Sequence, residues 1–132
     1  MNADKEDRIK EDKDMDEINK ITEKIIGCAY KVSNMLGCGF LEKVYENALG
    51  VELRMAGLQA EQQHSLQVFY NGIIVGDFVA DLFVENNVLV KLKAVKALGV
   101  IHTAQCPNYM KATGVKLCLL INLGTPGLRS NA

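Results

Sequence analysis

Three strand-like runs joined by two short connections constrain the fold of this chain more than any other feature. The run HSLQVFY (64–70) alternates apolar and polar residues, and the Asn71-Gly72 pair after it is a strong hairpin signal. The run IIVGDFVADLFV (73–84) follows, then the polar residues 85–87 and the run VLVKLKA (88–94). Connections this short join antiparallel neighbours, so we expect consecutive strands of one sheet.

Helical patterns flank these strands on both sides. Apolar residues recur at helical spacing from Glu17 to Leu36, and a second such pattern runs from about Leu41 to Ala56. A third helical stretch, from about Gly99 to Ala112, contains Pro107, which should kink or cut it. The run KLCLLIN (116–122) is expected to be a short buried strand. The order α, α, β, β, β, α, β predicts an α/β fold with a mixed sheet flanked by helices.

The two ends of the chain differ from its centre. Residues 1–16 are charged and nearly free of apolar side chains, so we expect a flexible tail or a solvated helix extension, with a single domain over 17–132. The final segment, LGTPGLRSNA, is expected to be irregular.

Residues 1–20 carry a net charge of −3 and residues 21–132 a net charge of +2. So weak a basic excess does not by itself indicate nucleic-acid binding.

The cysteines and the hydropathy bear on where the protein resides. Cys28, Cys38, Cys106 and Cys118 form no CxxC pair, so we expect reduced thiols that fill core space rather than a metal or iron–sulfur site. Reduced thiols predict a reducing compartment, the cytoplasm. The sequence shows no targeting signal and no run of about 18 apolar residues, so no membrane partner is expected.

Two lysines pose a problem in the third strand-like run. Lys91 and Lys93 alternate with Leu92 and Ala94 on a strand whose other residues predict burial. A buried ammonium group is costly unless a negative group meets it. Two lysines on one strand face therefore indicate either an edge exposed to water or a site for an anion.

Four motifs, in this order, resemble one protein family. GFLEKVY is a Gly-x-x-Glu-x-x-Tyr motif, and it is followed by ADL (80–82), KLKA (91–94) and Gln105-x-x-x-Tyr109. Together they resemble the GxxExxY protein family of the PD-(D/E)XK nuclease superfamily. The resemblance covers about residues 21–123, and it implies a restriction-endonuclease-like core.

The resemblance implies a Mg²⁺-dependent phosphodiesterase that acts on DNA or RNA. Carried over by position, Glu42 is the helix acid, Asp81 the strand acid and Lys93 the catalytic lysine. The implied metal ligands are the Asp81 and Glu42 carboxylates and the backbone carbonyl of Leu92. Such a set suits Mg²⁺, which prefers hard oxygen ligands and lowers the pKa of its bound water.

The helical Gln-x-x-x-Tyr motif has a different implied role. Gln105 and Tyr109 match residues that brace the site and the nucleic-acid strand. Between them, Cys106-Pro107 departs from the expected apolar helix formers, and Pro107 bears on where Tyr109 is placed.

The second departure falls on a metal ligand. Lys91 stands where the family pattern has a metal-binding acid. The change replaces an attraction to a dication by a repulsion, and each such interaction is worth roughly 4 kcal/mol at about 4 Å and an effective dielectric constant of about 20. We therefore expect weakened Mg²⁺ binding, with Lys91 paired instead to Asp81 or Glu42.

The connection between the second and third strands decides whether the two charges meet. A two-residue turn at Asn86-Asn87 would turn Asp81 away from both lysines. A three-residue loop that begins at Glu85 would put Asp81 opposite Lys91. Because a slip of one residue moves every side chain to the other face, the site hypothesis predicts a loop with an odd number of residues, as in the three-residue case.

Two functions remain open from the sequence. The first is a nuclease of the GxxExxY type, with activity lost or reduced by Lys91. The second is a non-catalytic nucleic-acid-binding or self-assembling module on the same fold, which Lys91 and Pro107 favour. A deliberate inactivating substitution at Lys91 is a third, weaker reading. Because two-fold dimers are the commonest soluble assembly, we expect a homodimer or another homo-oligomer.

Overall fold

The structure is a computed structural model that describes residues 2–125 and 129–131. Within these residues the chain forms three helices and five strands, in the order α1 (Asn2–Leu36), α2 (Glu42–Met55), β1 (Ala60–Tyr70), β2 (Ile73–Val84), β3 (Val88–Lys93), α3 (Val100–Thr113), β4 (Leu117–Asn122) and β5 (Arg129–Asn131). The predicted order of elements is confirmed up to β4, and β5 is an additional strand.

The strands form one mixed sheet in the order β1-β2-β3-β4-β5. Neighbouring strands are antiparallel except for β3 and β4, which are parallel and are connected through α3. The predicted mixed sheet flanked by helices is therefore confirmed. The prediction of an irregular C-terminal segment is wrong for residues 129–131, because their backbone groups pair with the edge of β4. Residues 126–128 and 132 lie outside the described part of the chain.

Helices cover both faces of the sheet. On one face, called the α1/α2 face, α1 and α2 pack against a cluster that includes Leu82, Val90, Leu92 and Ile121. On the other, the α3 face, buried side chains of α3 meet a smaller cluster built from Phe78, Ala80, Leu89, Cys118 and Leu120. Burying apolar side chains on both faces is what the apolar runs 88–90 of β3 and 117–121 of β4 require.

The first helix is longer than its apolar pattern. It ends at Leu36 as predicted, but it begins at Asn2, so the charged N-terminal segment follows the helix-extension alternative from that residue onward. The Asp14 carboxylate lies 3.4 Å from Lys116 Nζ, which links the charged half of α1 to the loop before β4. Within the described residues, no helix combines the length and the hydropathy that a bilayer span requires.

Two of the four cysteines are not reduced. Cys106 on α3 and Cys118 on β4 form a disulfide, with their Cα atoms 5.4 Å apart. The prediction of reduced thiols is wrong for this pair, although both residues are buried as expected. Only the packing of α3 on β4 brings them together, since their spacing matches no motif. The thiol argument for a reducing compartment therefore no longer holds, and cytoplasmic location stays a prediction.

Helix α3 continues through its proline. Pro107 lies inside the helix, which runs unbroken from Val100 to Thr113, so the predicted cut does not occur. Proline removes one backbone donor and costs about 3 kcal/mol in a free helix. The disulfide of the preceding residue, Cys106, ties this part of α3 to the sheet and offsets that cost.

The connection between β2 and β3 has the register that the site hypothesis needs. Val84 pairs with Val88 and Leu82 with Val90, so the loop consists of the three residues 85–87. In the loop, Asn87 N–H donates to the Val84 carbonyl at 3.0 Å. The predicted three-residue loop is confirmed.

Candidate functional site

The site begins where β2 and β3 separate. Their backbone pairing ends at Leu82 and Val90, one residue short of Asp81 and Lys91. Beyond this point the Leu92 N–H donates to Asp81 Oδ2 at 2.6 Å. The Asp81 carboxylate thus replaces the backbone carbonyl that would have accepted this hydrogen bond if the strands had continued to pair. The Leu92 N–H is therefore not left without an acceptor.

Strand β2 changes its face at Asp81. Ala80 packs on the α3 face and Leu82 on the α1/α2 face, although residues two apart share a face in a regular strand. On the neighbouring strand β1, Gln63 has a φ of 54°, a conformation uncommon outside glycine. In both strands, therefore, the side chains switch to the other face of the sheet at the level of Gln63 and Asp81. As a result, the Asp81 side chain lies along the sheet edge and points toward β3.

Glu42 reaches the same strand from the helix side. It is the first residue of α2, and its Oε1 accepts a hydrogen bond from the Ala94 N–H at 3.4 Å. The preceding loop is fixed by buried Tyr45, whose hydroxyl donates to the Gly37 carbonyl at 2.7 Å and accepts from the Phe40 N–H at 3.2 Å. The positive N-terminus of α2 also favours the Glu42 charge, and the role of Glu42 as a metal ligand stays a prediction.

The two acids contact backbone donors two residues apart, at Leu92 and Ala94. In a strand, the N–H and C=O groups of one residue point to the same neighbour, so the Leu92 carbonyl lies on the Asp81 side. The opposite edge is occupied, since the Lys93 carbonyl accepts from the Leu123 N–H at 2.8 Å. The structure therefore brings the two predicted acids and the Leu92 carbonyl to one edge of β3.

Lys91 occupies the same place. Its Nζ lies 3.6 Å from Asp81 Oδ1, and the two side chains are only 22% and 16% exposed. It also approaches the Val79 carbonyl at 3.5 Å and lies 5.7 Å from the centre of the Phe78 ring. The ion pair predicted for Lys91 is thus formed with Asp81. Among the described residues Lys91 has no ion pair with Glu42, so the ammonium does not bridge the two acids.

The other predicted site residues lie around this pair. Lys93 is half-buried on the α3 face, as strand alternation places it with Lys91, and no acid among the described residues forms an ion pair with it. Tyr109 stacks on Phe78 with ring centres 3.6 Å apart, which connects α3 to the ring beneath Lys91. The buried Oε1 of Gln105 has no hydrogen-bond partner within the described chain, so its bracing role stays a prediction.

A buried acid that the motifs do not include lies beside the site. Glu46 is 3% exposed, and it accepts hydrogen bonds from Lys43 at 2.8 Å, from Gln62 at 2.8 Å and from Gln63. Burial by itself raises the pKa of Glu46, but these hydrogen bonds and the Lys43 charge outweigh it and leave the pKa below its usual range. Glu46 follows Glu42 by four residues, so helical spacing could have identified it.

A second polar residue missed in the sequence fixes the exit of β3. Asn122, which is buried, accepts from the Val95 N–H at 3.2 Å and from the Gly124 N–H at 3.0 Å, and donates to the Val95 carbonyl at 2.9 Å. A Cβ atom at Gly124 would collide with the backbone of Val95 and Ala94. This packing holds in place the segment whose Ala94 N–H meets Glu42.

The residues present do not fit a Mg²⁺ ion. Two carboxylates and one carbonyl share an edge, but an ammonium group already pairs with the better-placed acid. Across the described chain, no three His, Cys, Asp or Glu side chains form a group that could hold a metal. A hard dication needs oxygen ligands, and Lys91 supplies a positive charge instead.

Comparison with known protein families gives a match over most of the chain. A family model described as the PD-(D/E)XK nuclease superfamily matches residues 19–131. No curated protein and no solved structure matches the chain. The matched range includes α2, the entire sheet and α3, and therefore every residue of the site described above.

Proposed function

Because the chain belongs to the PD-(D/E)XK nuclease superfamily, whose members generally depend on Mg²⁺, we propose that it is a nuclease-like protein of the GxxExxY type whose metal-dependent cleavage of nucleic acid is lost or strongly reduced. The ancestral substrate class is DNA or RNA. The restriction-endonuclease-like core is retained, and the metal centre is the altered part.

One observation carries this proposal, the ion pair between Lys91 and Asp81 at 3.6 Å. The ammonium group satisfies the acid that a dication would need, and it repels a dication placed beside it. Its contacts with the Val79 carbonyl and the Phe78 ring hold it there. A metal ion would therefore have to displace Lys91 before Asp81 could bind it.

A cleavage assay tests the proposal. The unaltered chain, Lys91→Glu and Lys116→Glu are incubated with plasmid and single-stranded DNA in Mg²⁺ or Mn²⁺. Lys116→Glu is the matched control, because it makes the same charge change at an ion pair with Asp14 on the outer part of α1. We expect cleavage by Lys91→Glu only.

Further variants identify the source of any cleavage. Adding Asp81→Asn or Lys93→Ala to Lys91→Glu should abolish the gained activity, which excludes a contaminating nuclease. Robust cleavage by the unaltered chain, lost in its own Asp81→Asn variant, would overturn the proposal.

The alternative function, binding of nucleic acid without cleavage, is favoured by a separate observation. Lys93 lies on the same strand face as Lys91, and within the described residues no acid pairs with it, so its charge is available to a phosphate group. Binding of labelled single-stranded DNA should weaken with added salt, persist in EDTA and fall in Lys93→Ala. The control Lys20→Ala changes an exposed lysine of α1 and should leave binding unaltered.

A further inference from the structure

The hairpin formed by β1 and β2 ends in an exposed apolar tip. Tyr70 and Ile73 pair with each other across the strands and are each 67% exposed. Phe69, Ile74 and Val75 beside them are 52%, 51% and 60% exposed. Apolar side chains clustered in this way, rather than scattered singly, mark an interaction surface.

The tip continues into an unprotected sheet edge. β1 is the first strand of the sheet, so one of its edges has no neighbouring strand. For residues 65–70, no backbone hydrogen bond on that edge is formed to any other described segment. Natural edge strands are usually protected by charged residues or proline, but residues 65–76 contain neither. This stretch therefore combines free backbone donors and acceptors with apolar side chains.

We propose that this surface, residues 65–76 of the hairpin, pairs with the same surface of a second copy of the chain. An antiparallel pair of identical strands is related by a two-fold axis, so β1 can pair with its own copy and close a dimer. The uncharged surface meets itself without like-charge repulsion. Nucleic acid, by contrast, requires cationic residues, which this surface lacks.

The available area agrees with a dimer of moderate stability. A standard interface buries roughly 800 Å² on each partner. A fully exposed aromatic residue can bury about 150–250 Å², and Phe69 and Tyr70 still expose 52% and 67% of their surface, so together with three β-branched residues they supply part of that area. The backbone hydrogen bonds of the paired edges add to it. Such a dimer has one continuous sheet that runs through both copies.

The test combines oligomeric state with hydrogen exchange. Light scattering coupled to gel filtration, over a wide range of protein concentration, should show a dimer for the unaltered chain and a monomer for Ile73→Lys. The matched control is Ile101→Lys, which makes the same change at an exposed isoleucine of α3 and should remain dimeric. Alternate amides of residues 65–70 should exchange more slowly as the protein concentration rises.

Several outcomes would overturn the assignment. They are a monomer at every concentration, a dimer that Ile73→Lys leaves intact, and a dimer whose concentration-dependent protection lies outside β1. Binding of the monomer to neutral phosphatidylcholine vesicles, lost in Ile73→Lys, would assign the tip to a lipid surface instead. Circular dichroism of each variant confirms that it is folded. The inference does not depend on the nuclease proposal, because no site residue is altered.

Discussion

Single residues in this protein show how buried charge is satisfied near a strand edge. Asp81 accepts a backbone N–H and pairs with Lys91, whereas Glu46 is held entirely by side-chain donors. Glu46 is buried and Asp81 is half-buried, and each carboxylate is tolerated there because its charge has partners, since an unpaired buried charge is costly. At Gly124 the constraint is space and not charge, because the backbone of Val95 and Ala94 leaves no room for a side chain.

Glu46→Gln should destabilise the protein in a pH-dependent way. The pKa of Glu46 is lowered in the folded state, so its charge contributes stability above the unfolded pKa, and that stability is lost as the pH falls through the folded pKa. We expect a loss of about 1–2 kcal/mol in unfolding free energy at neutral pH, and a smaller loss in acid. Urea unfolding across this pH range measures it.

The control for that variant is Glu61→Gln, which changes an exposed glutamate and should have little effect at any pH. If Glu46→Gln and Glu61→Gln lost the same small amount at every pH, the hydrogen-bond account of Glu46 would be wrong.

Gly124→Ala should destabilise the protein by about 1–3 kcal/mol, because the added methyl group forces the backbone near Val95 to move. Gly27→Ala is the matched control. Nothing lies within 4 Å of a Cβ at that helical position, so alanine should stabilise α1 by about 0.5–1 kcal/mol. Thermal unfolding of both variants should therefore shift in opposite directions, and equal shifts would contradict this packing.

At the scale of the elements, α3 depends on its attachment to the sheet. Pro107 interrupts its hydrogen bonding, and two contacts tie the helix down: the Cys106–Cys118 disulfide and the stacking of Tyr109 on Phe78. Tyr109 contacts the site through its stacking on Phe78. Because the disulfide attaches the same helix to β4, it also helps to position the predicted Gln-x-x-x-Tyr motif.

Reduction should measurably weaken the fold. In denaturant without reductant, thiol titration should count two free thiols, those of Cys28 and Cys38. A reductant should lower the unfolding free energy by about 3 kcal/mol, as expected for a loop of this length. The Cys106→Ala and Cys118→Ala double variant should be insensitive to reductant. Four free thiols in the oxidised protein would contradict the pairing.

At the scale of the whole molecule, the site is assembled from distant parts of the chain. Glu42 from α2 and Asp81 from β2 meet at one edge of β3 because the sheet opens there and because the α2 N-terminus lies beside its exit. An ion bound at such a site would contribute to the stability of the entire fold, since the unfolded chain cannot bind it.

Mg²⁺ should therefore stabilise Lys91→Glu but not the unaltered chain. At a hundredfold excess over its Kd, a bound ion adds about 2.7 kcal/mol to the unfolding free energy. Thermal unfolding with and without Mg²⁺ measures this difference, and Lys116→Glu should respond like the unaltered chain. No stabilisation of Lys91→Glu would mean that removing the ammonium group does not restore a metal site.

Much of the fold follows from local signals. The hairpin at Asn71-Gly72 is confirmed because both residues adopt positive φ values, 51° and 77°, which asparagine and glycine tolerate. The three-residue loop before β3 was predicted from the requirement that Asp81 face Lys91. By contrast, β1 begins at Ala60, four residues before the predicted start, because residues 60–62 pair with β2 although their sequence does not alternate apolar and polar residues.

The sequence by itself determined the order of the helices and of the first four strands, because periodicity and turn chemistry act between near neighbours. It left the register beside Asp81 open between a two-residue and a three-residue connection, and only the site hypothesis favoured the second. Only the tertiary structure decided that Lys91 pairs with Asp81 and not Glu42, that Cys106 joins Cys118, and that β2 reverses its face at the site. Each depends on how neighbouring elements pack and separate in three dimensions, and no local pattern in the sequence encodes that arrangement.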